Sequence, residues 1–125
     1  MLWVGGGQGA GKTTLSWHLS RAHDLPLHRI DLWTYDHQAR MPAADSFDGQ
    51  LTRGAESAAD AFESHSRLRL ALVLDDIAER DLVKVPAIVE GPQLMPGFAA
   101  QLPPGWCVGC SPIRDGRAWC GRNAW

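Results

Sequence analysis

The residues whose types and spacing could do chemistry stand near the start of the chain, as Gly6-x-x-x-x-Gly11-Lys12-Thr13. Glycines at 6, 9 and 11 let the backbone take conformations closed to residues with a Cβ. Successive N–H groups through Gly7, Gln8 and Ala10 can then point inward at phosphate oxygens. A helix opening near Lys12 would add the positive end of its dipole, and the Lys12 ammonium would reach β- and γ-phosphates. Thr13 offers a hydroxyl to Mg²⁺, and Thr14 either meets the α-phosphate or caps and packs. Lys12 is one of only two lysines beside ten arginines, so it does not come from a lysine-rich background. The expected ligand is a nucleoside triphosphate with Mg²⁺, either ATP or GTP.

Such a loop needs a second carboxylate near the metal, at the end of a neighbouring apolar strand. Two stretches offer one. Ala87-Ile88-Val89-Glu90 is closed by Gly91-Pro92, a forced turn that puts Glu90 at a strand's carboxyl end, where α/β folds gather their ligands. Leu70 to Asp76 has the right residue types as well. It lies inside a segment without Gly or Pro, however, and reads better as a helix with exposed acids at Asp75 and Asp76. Glu90 is therefore the expected metal carboxylate. Asp31, at the end of a second strand, is placed to take the proton of an attacking hydroxyl or else to cap the next segment. Asp36 is a weaker stand-in.

The elements that must position these groups follow from periodicity. Leu2-Trp3-Val4 reads as a buried strand, Lys12 to about Arg21 as a helix, and Leu25 to Ile30 as a strand entered through Pro26. Thr34 to Gly54 reads as a surface segment with one short helix. Ala55 to Asp81 reads as one long helix on Phe62, His65, Leu68, Leu72 and Ile77, and Val85 to Glu90 as a third strand. This order predicts a mainly parallel α/β sheet with flanking helices. Residues 1–105 form the expected core. Residues 106–125 read as an irregular tail, in which only Trp106-Cys107-Val108 resembles a strand.

A chain of 125 residues with net charge −2 has room for one domain. No basic face points to nucleic acid, and no apolar run is long enough to cross a bilayer, so a cytoplasmic protein with small-molecule partners is expected. Three cysteines at 107, 110 and 120 make no complete disulfide set. The Cys107/Cys110 spacing lacks the further ligands of a zinc site. The five histidines are scattered without metal spacing. Trp33, just past Asp31, could line an acceptor pocket.

GGGQGAGKTT, LPLHRIDLW and VPAIVEGPQLMP together resemble the small P-loop kinases of the nucleoside, shikimate and adenylate kinase group, over about residues 1 to 100. The closest resemblance is to kinase-like ATP-binding proteins of actinobacteria. The resemblance implies a P-loop NTPase fold and transfer of the γ-phosphoryl of Mg·ATP to a small-molecule hydroxyl. Lys12 and Asp31 would be catalytic, and Thr13 and Glu90 would hold the metal. It also implies a fifth strand, a lid with arginines and a base-contacting loop. The chain ends before most of these, so the fold is expected to be incomplete at the C-terminus. Arg114 and Arg117 are either lid arginines or solvated tail residues. The concentration of Cys and Trp in the last twenty residues fits a coding frame change or a truncation. Two other readings are a nucleotide-binding remnant without catalysis and an NTP hydrolase without an acceptor, the latter favoured if Asp75-Asp76 ended a strand.

Overall fold

A computed structural model describes residues 1–52, 54, 57–102 and 106–110. Strand β1 (Leu2–Gly6) leads through the glycine loop into helix α1 (Lys12–His23). Helix α1 stops at Asp24, whose left-handed φ of 51° lets its N–H return to the Ser20 carbonyl; Pro26 two residues on blocks continuation. Strand β2 (Leu27–Arg29) is shorter than the sequence pattern predicts, because Ile30–Trp33 winds at once into a 3-10 turn.

The segment read as surface with one short helix holds two, α2 (Thr34–Arg40) and α3 (Phe47–Thr52), with a 3-10 turn at Ala43–Asp45 between them. The long helix α4 is present as Ala58–Glu79. It starts at 58 rather than 55 because Ser57 caps it: its hydroxyl accepts the Asp60 N–H and donates to the Asp60 carboxylate. Strand β3 is Ile88–Glu90 only. Pro86 has no N–H to give a ladder, so pairing begins beyond it, with Ile88 N–H on the Pro26 carbonyl at 2.8 Å.

Strand β4 (Trp106–Cys110) follows a 3-10 turn at Pro96–Gln101. The four strands form one parallel sheet in the order β2-β3-β1-β4. The core therefore runs to Cys110, and the expected boundary at 105 falls just before a strand that belongs to it. Arg114, Arg117 and Cys120 lie outside the described residues.

Register assigns the faces. Trp3 is paired with Val89, and Val4 with Glu90. Trp3 and Val89 pack with Ile30, Leu94, Phe98 and the α4 residues Leu70, Val73 and Ile77 in one cluster. Glu90 then points to the opposite face with Val4 and Arg29, toward α1. Gly5 is buried where a Cβ would run into the Leu94 carbonyl, so the loop after β3 lies flush on β1.

The buried stripe of α4 differs from the one its apolar residues predict. Leu68 is exposed, while His65, Ser66, Arg69 and Asp76 are buried beside Ala61, Leu70, Val73 and Ile77. His65 is on the expected stripe, but apolar counting cannot see Ser66, Arg69 and Asp76 on a buried face. Among the described residues, no helix is long and apolar enough to cross a membrane.

Candidate phosphate and acceptor site

Strands β1 and β3 lie side by side. Their onward connections lead to opposite sides of the sheet, β1 to β2 beyond β3 and β3 to β4 beyond β1. A crevice at the carboxyl ends of two such strands is where open α/β sheets take ligands. The glycine loop fills one side of it. Gly6, Gly9 and Gly11 have φ of 137°, 74° and 80°, values that L side chains rarely adopt. The Lys12 side chain is almost fully buried, and its ammonium donates to the Gly7 carbonyl at 2.8 Å, tied across the loop. Thr14 is exposed on the first turn of α1.

Thr13 and Glu90 come together from 77 residues apart. The Thr13 hydroxyl lies 3.1 and 3.3 Å from the two Glu90 oxygens, and Arg29 Nε donates to Glu90 Oε1 at 3.2 Å. Glu90 is 1% exposed, so this carboxylate is held by partners rather than by water. The pair supplies only oxygens. Its spacing is close to the roughly 2.9 Å between neighbouring ligands of octahedral Mg²⁺ with bonds of about 2.0–2.1 Å. The residues fit that ion, with the Arg29 guanidinium tempering the charge of Glu90.

Gly6, Gly7, Lys12 and Thr13 share a cavity of about 820 Å³ with Asp31, Thr34, Phe62, Arg69, Gln93 and Met95. That volume lies within the usual range for small-molecule sites. Asp31 sits inside the 3-10 turn after β2 rather than at the strand's end. It does not cap the turn through its side chain: its backbone carbonyl accepts from Thr34, and its carboxylate makes no hydrogen bond among the described residues. Asp36 instead pairs with Arg40 at 3.1 Å on the surface of α2. Trp33 turns away from the cavity; it stacks on His28, with ring centroids 6.1 Å apart, and lies under Arg80.

Sequence reasoning missed the buried polar network behind Arg69. Asp75 is exposed on α4 as expected, but Asp76 is buried and accepts from His37 Nε2 at 2.7 Å and from Arg40 Nη1 at 2.6 Å. Burial pushes the Asp76 carboxyl up, and the hydrogen bonds from Arg40 and His37 outweigh it, leaving the group below its ordinary range. Arg69 Nε donates to His37 Nδ1 at 2.8 Å, and Nη2 donates to the Ile30 carbonyl at 2.8 Å and to Thr34 at 3.0 Å. An arginine N–H can only donate. His37 Nδ1 is therefore the acceptor, and the ring carries its proton on Nε2, facing Asp76. Burial lowers the Arg69 guanidinium, while Asp31 and Asp76 oppose that shift. Asp36, His37 and Asp76 have the spacing of a metal cluster, but Arg40 bridges the two carboxylates and both His37 nitrogens are engaged.

His28, buried on β2 with Nε2 unpartnered, is held below its ordinary 6.5 by burial, with Asp76 raising it and Arg80 and His37 lowering it further. The folded protein thus prefers His28 neutral. Its contribution is fully present above the unfolded value of 6.5 and is lost as pH falls from there through the folded value. Urea midpoints should fall between pH 7.5 and 5.5, and His28→Phe should flatten the profile; parallel profiles for the two proteins would contradict this.

The chain matches no protein-family model, no curated protein and no solved structure.

Proposed function

We propose that this chain is a P-loop phosphotransferase that binds a nucleoside triphosphate with Mg²⁺ and passes the γ-phosphoryl group to a small-molecule hydroxyl. The observation that carries this reading is the Gly6–Thr13 loop, with three glycines in the left-handed region and Lys12 tied across it, opening on the same cavity as Asp31. In the mechanism, loop N–H groups and the Lys12 ammonium hold the phosphates and stabilise the charge that spreads over the transferring group. Thr13 and Glu90 would hold Mg²⁺, which neutralises part of the phosphate charge when bound. Asp31 takes the proton of the acceptor hydroxyl as its oxygen attacks phosphorus, and the nucleoside diphosphate leaves. A fixed loop and an acceptor pocket in one cavity supply positioning, the main contribution a protein can make to phosphoryl transfer. An activity that consumes triphosphate belongs in the cytoplasm.

Asp75 and Asp76 lie within α4 and do not end a strand, so the one feature that would favour a hydrolase is absent. The proposal is tested by following ATP consumption with Mg²⁺ across a panel of nucleosides, sugars and amino alcohols. Turnover should rise with at least one acceptor, and a phosphorylated product should appear in equal amount. Binding without turnover for every acceptor would reduce the protein to a nucleotide binder, and phosphate release independent of any acceptor would make it a hydrolase.

A further inference from the structure

Arg69 lines the cavity shared by the glycine loop and Asp31. It is 3% exposed on α4, and burying a guanidinium costs several kcal/mol unless its N–H groups are used. Nε and Nη2 are used on His37, Thr34 and the Ile30 carbonyl, all within ten residues of Asp31. Nη1 makes no hydrogen bond among the described residues, and Arg69 borders the cavity into which Lys12 and Thr13 open. Among the described residues, Lys12 and Arg69 are the two cations of that lining, against the single carboxylate of Asp31. A triphosphate brings more negative charge than Lys12 alone offsets, even with one divalent ion. An acceptor hydroxyl needs a base, not a second cation.

We infer that Arg69 senses the γ-phosphate through Nη1 and couples its presence to the segment Ile30–Arg40, which carries Asp31. This rests on the nucleotide reading above. The guanidinium is a rigid fork, so a phosphate oxygen held on one edge fixes the other edge on the Ile30 carbonyl and Thr34. His37 keeps the fork aligned because its own orientation is set by Asp76 and Arg40. Triphosphate, and not diphosphate, therefore orders the acceptor side. By linkage, acceptor in turn tightens triphosphate binding. Arg69 would touch the nucleotide directly; His37 and Asp76 are positioning residues.

The test is hydrogen–deuterium exchange of residues 30–40 with saturating Mg·AMP-PNP and with Mg·ADP, alongside their affinities. Mg·AMP-PNP should slow exchange there about fivefold or more relative to Mg·ADP, the lower range of measured coupling between sites. Arg69→Gln should abolish that difference and reduce the triphosphate-over-diphosphate preference by about tenfold, about 1.4 kcal/mol. Arg69→Lys, which keeps the charge but not the fork, should retain part of the preference and lose the protection. The wild-type comparison stands even if a variant fails to fold. Equal protection by both nucleotides overturns the inference, as does an Arg69→Gln protein that is less stable yet keeps its triphosphate preference, which would make Arg69 a strut only. Nucleotide binding that does not depend on Lys12 would sink the underlying reading instead.

Discussion

Replacing Lys12 with alanine should lower the affinity for Mg·ATP, and equally for Mg·GTP, by about 100-fold in a calorimetric titration, about 2.7 kcal/mol. A charge-assisted hydrogen bond contributes about 1.5–3 kcal/mol, and Lys12 would form such bonds to phosphate in place of its bond to the Gly7 carbonyl. The substitution removes a nearly buried side chain at the N-terminus of α1, so loss of packing must be separated from loss of charge. Urea unfolding of the free proteins makes that separation. A variant that folds like wild type and binds nucleotide about 100-fold more weakly places the effect on the phosphates. Indistinguishable affinities would remove the nucleotide reading altogether.

The second large effect belongs to Asp31. With a responsive acceptor in hand, Asp31→Asn should lower turnover by about 10²–10⁴-fold, the usual worth of a positioned general base, while Mg·ATP affinity stays within about twofold. The structure makes this a clean substitution. The turn is fixed by its backbone, through Thr34 on the Asp31 carbonyl at 2.8 Å, and among the described residues no hydrogen bond to the carboxylate is broken. Asparagine keeps the shape and removes the basicity. Unchanged turnover would move the base elsewhere, and a parallel loss of ATP affinity would mean that Asp31 serves the nucleotide instead.

The parts of the site that were legible in the sequence are those set by local rules. Glycines at 6, 9 and 11 announce a backbone that only glycine adopts easily, and their φ values follow. Glu90 was placed by the Gly91-Pro92 turn, which ends β3 wherever the rest of the chain goes. Helix α1 could be bounded because Asp24 and Pro26 stop it. The buried network behind Arg69 was illegible for the opposite reason. Asp76 looks like any exposed acid of a helix until His37 and Arg40 arrive from 39 and 36 residues away. Arg69 sits on a face that periodicity assigns to apolar residues. Helix α2 carries few apolar residues of its own; His37 is the one it buries, and its pairing with Asp76 and Arg69 is tertiary. Strands β2 and β3 were overestimated because Pro26 and Pro86 limit where pairing begins.

The register between β1 and β3, Val4 opposite Glu90, has a consequence for how the site is assembled. Side chains alternate along a strand, so slipping β3 by a single residue would exchange the faces of Val89 and Glu90. Thr13 would then meet a valine, and the carboxylate would enter the cluster of Trp3, Leu70 and Val73 without Arg29 beside it. An unpaired charge in that setting costs several kcal/mol. The residue proposed to hold the metal thus also acts as a proofreader of strand pairing. A chain misthreaded at its central strands would be rejected by its own core rather than persist as a folded protein that binds weakly. Conversely, Glu90→Leu would relax that discrimination as it removed the ligand, since either register would then place an apolar residue on both faces.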